Sequence, residues 1–468
     1  MNYPSIIYSI IMIIYTAKKG KVKMNIIARF APSPTGHLHL GNIRTALVNW
    51  LFVNQNKGKF ILRIDDTDKE RSKEEYFHGI VEDLTWLGLN YDELVRQSDR
   101  TKRYDEIKDR LITEGRLYPC FETKEELDMK RKTLLSRGLP PIYDRAALKL
   151  SKDEIENRIS QGEKAHYRFK LDDEVISWSD LVRGEISFDP RNLGDPILIR
   201  EDNSMTYMLC SCIDDIDMSI SHVFRGEDHI SNTAIGVQLH RAIGGGIPLF
   251  AHLSLLKTKT SGMSKRDGGF DIKSLRENFI EPMAINSLLA RLGTAQTIEP
   301  HLNMEKLIKE FDIGKFGKAA ANYDYDELLR LNHKILSQSN YKQKKNALAA
   351  LGCEVDERFF NAVKSNINII SEIKQWYDIC RTKITPVIAS GDKDFLMKIS
   401  KLLPLNIDEN SWDLWLREIK KQSERKGKEL FMPIRKAITG AEHGPELKIV
   451  LPLIDREVIV KRLEGVDA

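Results

Sequence analysis

The sequence predicts an α/β protein: a parallel-sheet domain, interrupted by an inserted mixed α/β domain and followed by an all-helical C-terminal region. Three observations carry that expectation. Apolar runs too continuous to alternate, at 26–30 and 60–64, read as buried strands, and each is followed by a stretch of helical spacing. The span 123–200 breaks this rhythm with short strands and turns rich in glycine and proline. Beyond Ser274 almost every stretch reads helical, including 282–292, 304–311, 324–338 and 340–350.

At 468 residues the chain exceeds one ordinary domain, and a composition of 41% apolar and 30% charged residues supplies several cores. A net charge of +4 allows a polyanionic partner without requiring one. Five cysteines, Cys120, Cys210, Cys212, Cys353 and Cys380, are too sparse and irregular for a disulfide framework and point to a reducing, cytoplasmic setting. No set of them has structural-zinc spacing. Residues 1–23 hold an apolar run followed by Lys18, Lys19, Lys21 and Lys23. The run is shorter than the ~20 residues of a spanning helix, and it lacks the basic leading region and cleavage site of a signal peptide. Met24 directly precedes the first predicted strand, so 1–23 is expected to be an upstream extension without function, and no membrane partner is expected.

The first strand runs into Arg29-Phe-Ala-Pro-Ser-Pro-Thr-Gly-His-Leu-His-Leu-Gly-Asn42. Pro32, Pro34, Gly36 and Gly41 stop the strand and let the backbone approach a partner closely. Leu40, Ile43, Leu47, Trp50 and Leu51 then recur at helical spacing. His37 and His39 therefore stand where a helix start presents unpaired N–H groups and a positive dipole end, a place suited to phosphate. The strand 60–64 ends in Asp65-Asp66-Thr67-Asp68, carboxylates at the strand end where open α/β sheets place their sites. Helices follow over 73–86 and from about 99 to 114. The short strands 165–171 and 185–189 are expected to belong to the inserted domain rather than to continue the sheet. The α/β pattern resumes with a strand at 206–209, a helical stretch to 215, a strand at 222–225, a helix ending at Gly244-Gly245-Gly246 and a strand at 250–255. A loop from Lys257 to Gly269 then carries Lys257, Lys259, Lys265 and Arg266 among three glycines. Such a loop can close over a triphosphate, although taken alone a solvated charge run is the simpler reading.

Together these stretches resemble the paired nucleotide-site signatures of class I aminoacyl-tRNA synthetases, and more narrowly those of bacterial glutamyl-tRNA synthetases. Arg29 to Gly36 with His39-Leu-Gly-Asn42 is similar to the first signature, and Gly262-Met-Ser-Lys-Arg266 to the second. Arg63-Ile-Asp-Asp-Thr-Asp68 and Phe224-Arg-Gly-Glu-Asp-His229 resemble further motifs of the family. Leu430-Phe-Met-Pro-Ile-Arg435, Thr439-Gly440 and His443-Gly-Pro-Glu-Leu447 resemble its terminal helical domain. The likeness runs from Met24 to the C-terminus. It implies a Rossmann-like catalytic domain in two halves, 24–102 and 206–260, around an inserted acceptor-end-binding domain at 103–205. A catalytic loop with a stem-contact helical domain at 261–345 and an anticodon-binding domain at 346–468 complete the expected order. The resemblance further implies a monomer that uses ATP and Mg2+ to join L-glutamate to tRNA-Glu.

Residue roles carry over only at matching positions. The resemblance gives His39 and Lys265 the catalytic contacts to the ATP phosphates, with His37, Gly41, Lys259, Ser264 and Arg266 in the same nucleotide site. Arg29 and Arg225 read the side-chain carboxylate, Ser33 and Tyr207 complete that pocket, and Asp65 holds the α-ammonium. Two guanidiniums facing one carboxylate would reject glutamine. Gly262 stands where the second signature has its first lysine, so one phosphate contact is missing or comes from Lys259 or Lys257. The family's zinc-binding subset has a Cys/His cluster in the inserted domain. This chain has Cys120 there, with His166 at a distance, so no zinc is expected.

From Arg417 to Lys436, eight basic residues (Arg417, Lys420, Lys421, Arg425, Lys426, Lys428, Arg435, Lys436) face three acidic ones. That is a solvated helix face or, given the resemblance, a set of phosphate contacts near the anticodon. Arg71 is expected near the acceptor end. The resemblance leaves open whether tRNA-Gln is charged as well, and the reading leans to an enzyme that accepts both. A catalytically inactive tRNA-binding relative is the remote alternative. The residue that discriminates the anticodons is expected between 341 and 400, with Arg358, Lys364, Lys374 and Arg381 as candidates.

Overall fold

A computed structural model describes residues 25–258 and 270–468. The expectations for residues 1–23 and for Lys259, Ser264, Lys265 and Arg266 lie outside the described residues.

The N-terminal unit is built on a seven-stranded sheet. It begins with β1 (Ile27–Phe30), α1 (Leu40–Gln55), β2 (Lys59–Ile64), α2 (Glu74–Trp86) and β3 (Glu93–Arg96). There follow α3 (Thr101–Thr113), β4 (Leu117–Cys120), α4 (Lys124–Ser136), α5 (Lys152–Ser160), β5 (His166–Phe169), β6 (Ile176–Asp180), β7 (Gly184–Phe188) and β8 (Ile197–Ile199). Helix α6 (Tyr207–Asp217), β9 (His222–Gly226), α7 (Ile230–Ile243) and β10 (Leu249–Leu253) bring the chain back to the sheet. The strand order is β3-β2-β1-β9-β10-β6-β7. From β1 the chain steps one way through parallel β2 and β3, and on its return it steps the other way from β9 to parallel β10. The crevice at the carboxyl ends of β1 and β9 is thus the switch point where open α/β sheets bind ligands.

Local sequence explains these elements. Phe60, Ile61, Leu62 and Ile64 of β2 are all buried, as a central parallel strand requires. Helix α1 buries Leu40, Ile43, Ala46, Leu47, Val48, Trp50, Leu51 and Val53, so its apolar surface is nearly all-round.

Two expectations are corrected. The strands at 176–188 do continue the main sheet: β6 pairs parallel with β10 through Asp180 and Phe250, and β7 closes the edge as an antiparallel hairpin. Only β4, β5 and β8 form a separate three-stranded sheet. The short apolar segment after Thr206 is the start of a helix rather than a strand. Thr206 is the N-cap of α6, and Leu209 and Ile213, one turn apart, are both buried.

The second unit, 258–291 with 297–304 and 323–468, is predominantly helical. The helices expected from spacing occur as Pro282–Arg291, Tyr325–Gln338 and Tyr341–Ala350 in this unit and as Met304–Glu310, which from Glu305 on belongs to the first. Phe359, Phe360, Ile373, Trp415, Ile434 and Ile459 belong to its core. Arg462, fully buried there, donates Nη1 to Ile379 O and Ile438 O, both at 2.8 Å, and Nη2 to Thr382 O at 3.0 Å. One guanidinium thereby satisfies carbonyls at two helix ends. All five cysteines are buried and free. Among the described residues no helix is long and apolar enough to cross a membrane.

Candidate active site

After β1 the chain turns through buried Pro32 and Pro34. Asp65 N bonds Pro32 O and Lys73 N bonds Pro34 O, each at 3.0 Å, tying the turn to the end of β2 and to the start of α2. His39 is the N-cap of α1. Its Nδ1 accepts from Gly41 N (3.0 Å) and Asn42 N (3.3 Å), while Asn42 Oδ1 accepts from His39 N (3.1 Å). This reciprocal cap satisfies backbone donors of the first turn. An accepting Nδ1 puts the proton of the neutral ring on Nε2, so Nε2 is a donor at the positive end of the helix dipole. Gly41 is required by the same contact, since a Cβ there would lie 2.9 Å from His39 Cε1 and 3.0 Å from Nδ1. His37 packs edge-on against Tyr76 of α2, with centroids 5.2 Å apart, and Ser33 is exposed in the turn.

Beside the turn, buried carboxylates and guanidiniums interlock. Arg63, wholly buried, donates Nε to Asp65 Oδ1 (2.7 Å) and Nη1 to Asp215 Oδ1 (2.7 Å). Arg29 donates Nε to Asp215 Oδ1 (3.0 Å) and Nη2 to Oδ2 (3.3 Å). Asp214 accepts from Gln97 Nε2 (2.7 Å), Arg100 Nε (2.6 Å) and the Tyr104 hydroxyl (2.9 Å). Burial acts to raise the Asp215 carboxyl, but the charges of Arg29 and Arg63 outweigh it and bring it down to about 2. For Asp65 burial wins over the attraction of Arg63, and its carboxyl is raised. Arg29 thus stands already paired, and Asp65 is held by Arg63 and by the Ser211 hydroxyl, which donates to Oδ2 at 3.2 Å. Asp215 and Ser211 had no assigned role in the sequence reading. Only the fold brings Asp215 back across 186 residues to Arg29.

Arg225 differs. It stands, half-buried, near the carboxyl end of β9 and donates Nη2 to Thr233 Oγ1 (2.5 Å) and Nε to His252 Nε2 (3.4 Å). Among the described residues no carboxylate is ion-paired with it. Burial, with the charge of Arg29 added, lowers its pKa to about 10. An unpaired guanidinium at a strand end is a ready partner for a carboxylate. Tyr207, the first residue of α6, accepts from Asn232 Nδ2 and stands edge-on to His229, with centroids 6.4 Å apart.

The expected RNA-facing cations fare unequally. Arg71 is exposed and bonds Asp68 at 2.7 Å. Arg417, Lys420, Lys426 and Lys428 are exposed on or between the helices Ser411–Gln422 and Gly427–Thr439. Lys421 pairs with Glu418 at 2.6 Å. Arg425 pairs with Asp392 (2.5 Å), donates to Gly391 O (3.0 Å) and lies 4.4 Å from the Phe395 ring centroid, so it is engaged within its own unit. Lys364 likewise donates to Ser339 O at 3.0 Å.

One group of potential metal ligands occurs among the described residues: Cys120, Glu122 and His166, with ligand atoms within 4.8 Å of one another. Cys120 and His166 are cross-strand partners of β4 and β5, which corrects the separation expected for them. Glu122 Oε2 and His166 Nε2 have no hydrogen-bond partner. The Tyr143 hydroxyl bonds Glu122 Oε1 at 2.8 Å and reaches Cys120 Sγ at 3.8 Å. Burial raises the Cys120 thiol to about 11 and lowers the His166 imidazole. This trio falls one donor short of a closed structural zinc site.

A histidine-capped helix start beside an unpaired guanidinium, at the switch point of a parallel sheet, defines a nucleotide-binding protein of the α/β class. Residues 25–330 match the family described as tRNA synthetases class I (E and Q), catalytic domain, and residues 327–466 match the Anticodon binding domain. Glutamate–tRNA ligase 1 of Rickettsia prowazekii is 51% identical over 442 residues, covering 94% of this chain and 98% of the relative. Its namesake in Rickettsia felis is 50% identical over 441 residues, covering 94% and 99%. A solved glutamate tRNA ligase from Elizabethkingia meningosepticum, in complex with its amino acid, matches with a TM-score of 0.81 at 27% identity over 94% of this chain and 98% of that one. Glutamate-tRNA synthetase from Elizabethkingia anophelis matches with a TM-score of 0.80 at 28% identity, covering 94% and 99%. The chain belongs to the class I tRNA synthetases of the glutamate and glutamine group.

Proposed function

We propose that this protein ligates L-glutamate to the 3′-terminal adenosine of tRNA-Glu in an ATP-dependent reaction that passes through glutamyl-adenylate. The observation that carries the reading is Arg225, a half-buried guanidinium with neutral partners, at the same switch point as the His39-capped helix start. An oxygen of the glutamate α-carboxylate attacks the α-phosphorus of ATP, the bond to the bridging oxygen breaks, and pyrophosphate leaves. His39 Nε2 and the N–H groups of the helix start donate to phosphate oxygens as charge builds on them. Lys265 neutralises the departing pyrophosphate by resemblance. The 2′-hydroxyl of the terminal adenosine then attacks the acyl carbon, loses its proton and expels AMP. No protein nucleophile is used, and the protein's contribution is positioning and electrostatics. Magnesium arrives with the nucleotide, held mainly by phosphates and water as is usual for that ion.

The protein acts as a cytoplasmic monomer without resident zinc, and its tRNA range includes tRNA-Gln. Charging assays with purified tRNA-Glu and tRNA-Gln test the range, and glutamylation of tRNA-Glu alone would remove the second substrate. The reaction itself is tested by glutamate-dependent exchange between pyrophosphate and ATP. By resemblance, exchange is negligible until tRNA is added. Strong exchange with enzyme, glutamate, ATP and magnesium alone counts against the reading.

A further inference from the structure

Arg225 is held by a chain of buried groups that reaches into the edge hairpin. Thr233 on α7 is fully buried, and the side chains of His252 and Asp180 are fully buried too. Thr233 Oγ1 lies 2.7 Å from His252 Nε2, and His252 Nδ1 lies 2.5 Å from Asp180 Oδ2. Asp180 Oδ1 accepts the backbone N–H groups of Val182 (3.0 Å), Arg183 (2.9 Å) and His252 (3.2 Å). Burial works against charge on Asp180, but the bonds from His252 and the backbone prevail and hold its carboxyl below the ordinary range.

The order of protons follows from the ionised end of the chain. An ionised Asp180 only accepts, so His252 Nδ1 carries a proton toward it. Burial keeps the imidazole neutral against the pull of Asp180, so Nε2 must accept. The Thr233 hydroxyl has two acceptors in reach, His252 Nε2 at 2.7 Å and His229 O at 3.1 Å. Giving its single proton to the nearer Nε2 avoids setting two lone pairs against each other there and leaves its own lone pairs to Arg225 Nη2. Donation runs in one direction, from Arg225 to Thr233 to His252 to Asp180.

We propose that Asp180, His252 and Thr233 form a positioning relay that aims Arg225 at the side-chain carboxylate of the amino-acid substrate. The three are positioning residues, since the relay ends on Arg225 and none of them is placed against substrate. Strand β6, next to the edge strand β7, is thereby part of the amino-acid site, because Asp180 closes the relay. This inference rests on the reading of Arg225 as the carboxylate reader.

The test is steady-state aminoacylation with tRNA, varying glutamate and ATP separately. Thr233→Val keeps the shape and removes the hydroxyl, and Thr233→Ser keeps the hydroxyl and removes a methyl. The relay predicts a glutamate KM raised about 10- to 100-fold in Thr233→Val, as for loss of a hydrogen bond to a charged group, with ATP KM within about twofold. Thr233→Ser stays near the parent enzyme. A packing role predicts the reverse order, because serine leaves a cavity and valine does not. Asp180→Asn retains an acceptor for the backbone N–H groups but turns an N–H toward Nδ1, forcing the His252 proton onto Nε2. It too raises the glutamate KM selectively. An unchanged glutamate KM in Thr233→Val, or equal damage in Val and Ser, overturns the relay. Arg225→Ala separates the two ideas: an unchanged glutamate KM there overturns the carboxylate reading itself, while a raised KM in Arg225→Ala with none in Thr233→Val overturns the relay alone.

Discussion

Replacing Gly41 with alanine tests whether the His39 imidazole works as a placed donor. A Cβ at 41 would lie 2.9 Å from His39 Cε1 and 3.0 Å from Nδ1, closer than such atoms approach, so the ring must swing away. The swing breaks the bonds from Gly41 N and Asn42 N to Nδ1. Loss of an N-cap of this kind costs about 1 kcal/mol. Alanine in place of glycine inside a helix returns up to about 1 kcal/mol, so the stability of the variant stays within about 1 kcal/mol of the parent. The rate responds differently. A displaced Nε2 no longer meets the phosphate oxygens, and loss of one such donor costs about 2–4 kcal/mol in the transition state, or roughly 30- to 1000-fold in kcat. Aminoacylation kinetics and thermal unfolding on the same preparation give both numbers. His39→Ala should lose a similar factor in rate, and the double variant should lose no more than either single, since both act through one ring. A full rate in Gly41→Ala, or a double variant whose loss is the product of the two singles, refutes the reasoning.

Asp215→Asn leaves Arg29 and Arg63 buried with one charge partner fewer, and by analogy with broken buried pairs it should cost about 3–5 kcal/mol in urea unfolding at neutral pH. Because the Asp215 carboxyl is lowered to about 2 in the fold and titrates near ~3.9 unfolded, its stabilisation is present above pH ~4 and fades as pH falls toward 2. The parent and variant should therefore converge in acid, and a constant gap would show that Asp215 titrates normally. Neutralising Lys420, Lys426 and Lys428 together should weaken tRNA binding and flatten its salt dependence by up to about three counterions. Arg425→Gln should instead destabilise the C-terminal unit, and the opposite assignment of these effects would refute the division between free and engaged cations. Metal analysis of the purified protein should find no stoichiometric zinc, and about one zinc per chain, lost in Cys120→Ala, would show that the trio with Cys120 completes a four-donor site.

What was legible in the sequence divides along physical lines. His39 and Gly41 could be read because strand, turn and helix start are local, and a cap is fixed by residues three apart. Arg225 could be read as a cation at a strand end for the same reason. The partners of these residues could not. Asp215, Thr233 and His252 lie on three different elements, and only the sheet order brings Asp215 to Arg29 and Asp180 to His252. The hairpin at 176–188 was set apart because its span is short and rich in turns, yet the one-residue pairing of Asp180 with Phe250 joins it to the catalytic sheet. The segment from Thr206 misled for the opposite reason. Four residues are too few for periodicity to distinguish a strand from the first turn of a helix.

The buried charges also decide how glutamate would be told from glutamine. A clamp of two guanidiniums on one carboxylate needs free donors on both. Arg29 gives Nε and Nη2 to Asp215, which neutralises much of its charge but leaves its Nη1 N–H groups for a substrate. Arg63 shares Asp215 and also takes Asp65, Arg100 takes Asp214, and Arg183 takes Glu227. Arg225 bonds two neutral groups instead, and the neutrality of one of them depends on His252 keeping its proton on Nδ1 toward Asp180. A substrate carboxylate supplies the missing charge. The amide of glutamine supplies none, and if its N–H side is turned inward it opposes donor to donor. Leaving a buried charged donor without its partner costs about 1–3 kcal/mol or more, enough for roughly 10- to 100-fold selection from this one contact. On this reading Arg29, its charge already matched by Asp215, adds less to the choice of amino acid than Arg225 does. Replacing Arg225 with glutamine should therefore narrow the preference for glutamate, whereas a variant at Arg29 should act first on stability.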